Sequence, residues 1–216
     1  MPLSNITIGG NSVTVVSLPT APGFRSVEFD INESVGTVKS IFTGQVQAQR
    51  WSGADYWSGT VTLPSLTQIQ ADAWIAALMQ CGGMSNAFLI GDPAKAFPRG
   101  SGGSQTPTTD GSFTDAIASP TLHTQGWTPS TNGLLLPGDY IQIGYRLHRV
   151  LEQVNSDTNG KAVLTIWPTI REAPVASTTV ILTHPQGLFR LRQNTTKWST
   201  DYTRLTSLSF PILEHR

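Results

Sequence analysis

"LLLPGDYIQIGYRLHRVLEQVNSDTNGKAVLTIWP", residues 134–168, is the stretch whose reading decides the fold. Tyr140 and Gln142 alternate with Ile141 and Ile143, and after Gly144 the polar side continues through Arg146 and His148. A period of two marks a half-buried strand, and Gly144 permits a bend or bulge within it. Leu147, Val150, Leu151 and Val154 add apolar contacts, although "RVLEQV" alone would also suit a helical turn. The residues beyond Val154 favour the strand. Asn159-Gly160 is a strong short-range turn signal, and "KAVLTIWP" resumes with Val163, Thr165 and Trp167 opposing Leu164 and Ile166. Strand, turn and strand describe a hairpin in a small β-barrel better than a catalytic loop.

The same pattern fills the chain on either side. "RSVEFDIN" sets Val27, Phe29 and Ile31 against Ser26, Glu28 and Asp30, and "TVKSIF", "TGQVQAQRW" and "YWSGTVTLP" continue as short strands between Gly and Ser clusters. One helix interrupts them, "LPSLTQIQADAWIAALMQCGG". Ser65 is its expected N-cap, Gln68 the capping-box partner and Gly82 the left-handed C-cap. Ala71, Trp74, Ile75 and Leu78 form one stripe, expected to lie on a sheet with Trp74 as core anchor. The segment "AKAFPRGSGGSQTPTTDGS" is rich in Gly and Pro and poor in apolar residues, so a domain boundary is expected near residues 91–100. Near the C-terminus, "TTVILTH" reads as a strand and "TRLTSLSFPILE" as a closing one that needs a pairing partner. The economical organisation is an insertion: residues 1–92 plus 186–216 form one domain, and residues 93–185 form an inserted barrel. The expected class is therefore mainly β, all-β with one α-helix.

Composition points the same way. Charged residues make up only 13% of the 216 residues, with 20 Gly and 14 Pro, a turn-rich β pattern and neither a helical bundle nor acidic disorder. Lys plus Arg equals Asp plus Glu at 14 each, so no whole-chain field gathers phosphates or an anionic membrane. Cys81 is the only cysteine, which excludes an intrachain disulfide and a Cys-based metal cluster; a buried structural thiol is expected. "MPLSNITIGGNSVTVV" lacks a basic n-region and a continuous apolar h-region, and no run of 18 apolar residues occurs. A membrane partner is not expected.

Enzymatic chemistry finds little footing. There is no P-loop and no dinucleotide fingerprint, and His123, His148, His184 and His215 are scattered singly. A triad from Asp139, His148 and a serine lacks the nucleophile elbow, and Glu28 with Asp30 reads more simply as a solvated strand face than as a glycosidase pair. No enzyme activity, catalytic residue, cofactor or metal is expected. Two binding surfaces can still be drawn. Trp51, Tyr56 and Trp57 form the densest aromatic cluster, suited to an interface or to glycan contact, the basis of an alternative reading as a carbohydrate-binding module. Arg146, Arg149 and Trp167, with Arg171 and Tyr145 nearby, would give a barrel surface for single strands, although Trp167 in an alternating strand is more simply a structural residue.

The order "RWSGADYWSGTVTLPSL", helix, "FLIGDP", "PRG", "GWTPSTNGLLLPGDYIQIG" and "LHRVLEQVNSDTNGKAVLTIWPTIREAP" resembles the distal tail (Dit-like) proteins of long-tailed bacteriophages, from about residue 40 to the C-terminus. The resemblance implies a tail-tube-like split β-sheet belt domain carrying an inserted OB-like β-barrel. It further implies a homo-oligomeric ring, usually a hexamer, in the tail tip of the virion, assembled in the host cytoplasm. Its partners would be the tail tube protein and the tail hub and tip proteins, with DNA passing through the ring unread. A neutral chain suits such a conduit, because a lumen lined by Lys and Arg would hold the DNA.

Overall fold

The computed structural model describes residues 3–216; the first two residues of the expected belt domain, Met1 and Pro2, lie outside them. The chain begins with β1 (Leu3–Ile8), β2 (Asn11–Val16), β3 (Ser26–Asn32), β4 (Val35–Lys39), β5 (Val46–Arg50) and β6 (Tyr56–Thr62). Helix α1 (Gln68–Gln80) and β7 (Ala87–Ile90) come after them. Next are β8 (Thr108–Thr109), β9 (Thr121–Gln125), β10 (Tyr140–Ile143), β11 (Arg146–Val150), β12 (Lys161–Trp167) and β13 (Val180–Ile181). The chain ends with β14 (Gly187–Leu191), β15 (Trp198–Thr200) and β16 (Thr206–Glu214). The protein is mainly β, and α1 is the one α-helix among the described residues; none of these residues forms a helix long and apolar enough to cross a membrane.

Two sheets divide these strands. The larger has the order β1-β2-β7-β14-β16-β6-β3, with β15 paired to β16, so it is built from both ends of the chain. β16 meets the pairing demand of its alternating sequence by lying between β14 and β6, burying Leu208, Phe210 and Ile212 and exposing Ser207 and Ser209. At Gly59 a Cβ would stand 1.9 Å from the Glu28 carbonyl oxygen, so only glycine lets β3 and β6 approach there. The second sheet, β13-β10-β11-β12-β9-β8, curls until a bridge between Thr108 and Thr179 links its ends into a nearly closed barrel. Leu122, Leu134, Leu135, Ile141 and Leu164 fill that barrel and are completely buried.

Several local expectations shift. The stretch Tyr140–Val154 is not one bent strand. Gly144, at φ 57°, opens a two-residue turn, and β10 folds back on β11 with Ile143 opposite Arg146. Asn159-Gly160 does not close a tight hairpin either: β11 and β12 pair only at Arg149–Trp167 and Val150–Ile166, and Val154 leaves to bridge Leu135. Helix α1 starts later than the Ser65 cap implied. Thr67 is its N-cap, and the Gln70 side chain accepts the Thr67 N–H at 3.0 Å, so the capping box is displaced by two residues. Gly82, at φ 58°, stands just past the end of the helix in the left-handed conformation expected for it. Trp74 is fully buried against Phe24 and Phe210, as the stripe required. Ile31, by contrast, is 62% exposed, because β3 is the last strand on its side of the sheet.

Candidate functional site

Trp57 and Trp167, which the sequence assigns to two separate surfaces, meet inside the molecule. Trp57 is 1% and Trp167 6% exposed, and their rings stand edge to face with centroids 4.4 Å apart. Alternation explains the strand and not the environment: Trp167 projects from β12 where the outside of the barrel is covered by the larger sheet. Trp57 donates from its indole to the Leu147 carbonyl at 2.9 Å, and the Leu188 N–H donates to the Tyr145 carbonyl at 2.9 Å. At Gly187 a Cβ would lie 2.8 Å from that of Leu147, so glycine is needed for β14 to touch β11. Tyr140, Leu147 and Trp167 of the barrel thus belong to the same core cluster as Trp57, Phe189 and Phe29.

Charges are buried in this joint. Glu214, 4% exposed, accepts the Trp57 backbone N–H at 2.9 Å and the Arg171 guanidinium at 3.2 Å. Arg171 also donates to the Gly53 carbonyl at 2.7 Å. Arg146, placed on a barrel surface by its sequence, is 5% exposed; it pairs with Glu172 at 2.5 Å and donates to the His215 carbonyl. Asp55 accepts the backbone N–H and the hydroxyl of Thr169 at 2.6 and 2.7 Å. His148, beside them, donates from Nδ1 to the Pro168 carbonyl at 2.7 Å; burial pushes its pKa below the ordinary value, because a charged imidazole there would lose its hydration. Burial likewise raises the Cys81 thiol to about 11, which keeps it protonated and inert. Glu214 and Asp55 of the larger-sheet body each accept donors from the barrel side, Arg171 and Thr169, an arrangement that fixes two bodies against each other.

The remaining expected residues are scattered. Arg149 lies over the Tyr140 ring at 5.3 Å and is only partly exposed, so Arg146, Arg149 and Trp167 do not make a basic aromatic surface. Tyr56 is half-buried under the Arg216 guanidinium at 5.1 Å. Trp51 is exposed but lies against Gly36, where a Cβ would come within 2.7 Å of its ring. With Trp57 inside the core, the three aromatics do not form a common sugar platform.

The surface that stands out is one that the sequence pattern did not single out. Strands β4 and β5 pair only with each other, and every residue in them except Gly36 is exposed. At the tip, Ile41 and Phe42 are 89% and 92% exposed, and Val38 on the shaft is 72% exposed. The root is held firmly: Glu33 pairs with Arg50 at 2.8 Å and accepts the Trp167 indole N–H at 2.6 Å. An apolar projection braced on the joint is therefore presented to its surroundings. Its sequence signal is "KSIFTG", two large apolar residues inside a turn where polar ones are the rule. No family model and no curated protein matches this chain.

Proposed function

We propose that this chain is a structural ring subunit of a phage tail tip, a distal tail hub protein that joins the tail tube to the tip or receptor-binding apparatus and encloses part of the DNA path. The observation that carries the reading is the β4–β5 arm, whose apolar tip a single chain leaves in water. Ring closure uses heterologous contacts, in which one copy offers a projection and the next a different receiving surface. The larger sheet also ends in the unpaired edges of β1 and β3, which association with neighbours would cover. A joint built from buried tryptophans and ion pairs suits a subunit that transmits load without bending, and the resemblance to distal tail proteins supplies the setting. The chain's role is non-enzymatic.

Native mass measurement and electron microscopy of the purified protein, alone and mixed with the tail tube protein, test this. A closed ring, expected to be a hexamer, is the predicted result. A chain that stays monomeric under both conditions overturns the reading.

A further inference from the structure

Two buried nitrogen atoms on one face of the larger sheet, Arg190 Nε and His215 Nδ1, lack a hydrogen-bond partner among the described residues. Strand pairing brings the two side chains together. β14 and β16 run antiparallel with Arg190 opposite Leu213, and the His215 N–H donates to the Leu188 carbonyl at 2.9 Å. Alternation therefore turns Leu188, Arg190, Leu213 and His215 to one side, away from the core that takes Phe189, Leu191 and Ile212. Arg190 and His215 are diagonal neighbours on that side, a spacing that long side chains span. The residues directly across from Arg190, Ala87 in β7 and Leu213 in β16, offer its guanidinium no side-chain acceptor.

The charge around this pair is one-sided. Among the described residues no carboxylate lies within ion-pair reach of Arg190. Arg146 reaches over from β11 and donates to the His215 carbonyl. Glu172, beside it, is already committed, accepting Arg146 by two bonds at 2.5 and 3.1 Å. Burial, then the guanidiniums of Arg146 and Arg190, push the His215 pKa below its ordinary value, with the backbone carbonyl of His215 and Glu172 pulling the other way. Tyr145, in the turn before β11, is the other titratable group packed on this face. Arg190 and His215 are both half-buried and the Glu172 side chain is 38% exposed, so solvent reaches the site.

A guanidinium without a counter-ion and an imidazole that a bound anion would protonate make two positive charges. A carboxylate balances one of them. A phosphate-type dianion balances both and has oxygens enough to accept from both nitrogens.

We propose that Arg190 and His215 bind a phosphate-type dianion, free or carried as an ester on a larger molecule, at the seam between the sheet and the barrel. Arg190 donates to it from Nε, and His215 from Nδ1. Because the anion favours the charged imidazole, anion and proton bind cooperatively, and affinity rises on acidification. The site lies within one chain and does not depend on ring assembly.

The test follows the imidazole of His215 in the full chain by nuclear magnetic resonance while pH is lowered. Sodium sulfate, a dianion throughout, should raise the His215 pKa relative to sodium chloride at equal ionic strength, and should bind about tenfold tighter near pH 5.5 than near pH 7.5. Arg190→Gln should abolish the effect, and His215→Asn should leave weaker binding that no longer varies with pH. Inorganic phosphate and glycerol phosphate, compared at one pH, separate the two sources: the tighter binder shows whether the ligand is the free ion or the ester. Identical His215 titrations in sulfate and chloride overturn the proposal. So does a sulfate effect that persists in an Arg190→Gln chain with the parent's melting temperature, or an acetate effect as large as that of sulfate.

Discussion

Trp167 stands edge-on to Trp57 across the boundary between the barrel and the larger sheet, with ring centroids 4.4 Å apart at an interplanar angle of 89°. Because Trp57 also donates to Leu147 and packs on Phe29 at 5.4 Å, it ties β6 to both bodies at once. Trp57→Ala removes that tie and leaves a cavity at the shared core. The expected cost is about 3–5 kcal/mol in denaturant unfolding, with the single transition separating into two as the barrel and the sheet lose their coupling. A loss below about 1 kcal/mol would mean that the joint closes without the indole.

Glu214 is the charged counterpart of that contact. Its side chain is 5% exposed and faces Arg171, itself 8% exposed, with the Arg146 guanidinium 3.9 Å away. Glu214→Gln keeps the shape and deletes the charge, leaving two buried guanidiniums with less compensation. Breaking a buried pair from one side costs about 3–5 kcal/mol, and urea unfolding should show a loss of that order. Replacing Arg171 and Glu214 together by apolar residues of similar size should recover much of it, since no single charge is then stranded.

These two sites mark where sequence reading stops. Period-two patterning made the β class and the closing strand Thr206–Glu214 legible, and the stripe through Trp74 made α1 legible, because each depends only on which face of an element is buried. Patterning does not say what covers that face. Trp167 looked like an outward residue of a strand, and it is outward from the barrel, but a second sheet lies there. Arg146 was placed on a barrel surface because its partner, Glu172, stands 26 residues away in the chain, and Glu214 gave no signal because Arg171 stands 43 residues away. The arm was hidden for the opposite reason: apolar residues in "SIF" imply burial, and a lone chain gives them none.

Trp74 gives a test of the helix. It is fully buried, but its indole N–H has no hydrogen-bond partner. Trp74→Ala should cost about 3–5 kcal/mol through cavity formation. Trp74→Phe keeps most of the volume and deletes an unsatisfied donor, so its cost should stay under about 2 kcal/mol. Equal losses for the two variants, measured by equilibrium unfolding, would show that the indole nitrogen has found a partner.

Acid should weaken the protein before its carboxylates protonate. Burial holds the folded-state pKa of His148 below 6.5, so above that value the imidazole is neutral in both states and stability does not depend on it. As pH falls below 6.5 the unfolded chain takes up a proton that the folded one resists, and stability drops by about 1.4 kcal/mol per pH unit until the folded pKa is reached. Asp110, Asp157 and Asp201, whose pKa values are lowered from 3.8, contribute stability that is present above that value and lost only below it. The two windows are therefore separate. Urea midpoints between about pH 7 and pH 5 should fall for the parent chain and fall less for His148→Asn, which keeps a donor for Pro168 without titrating.

Ring assembly should depend on the arm tip without affecting the fold. Phe42 and Ile41 touch almost nothing in the single chain, so Phe42→Asp and Ile41→Asp should leave the melting temperature of the isolated subunit within the small shift typical of surface changes, about 0.5 kcal/mol or less. In an assembled ring the same side chains would be covered, and an unpaired carboxylate forced into an apolar pocket costs several kcal/mol. Because every interface of a ring carries the same substitution, the penalty repeats at each contact. Size-exclusion chromatography with light scattering should show the parent chain as a ring and the aspartate variants as folded monomers. Phe42→Leu, which keeps an apolar tip, should still assemble. Rings that form equally well with aspartate at both positions would exclude the arm as the contact and leave the edges of β1 and β3 to make it.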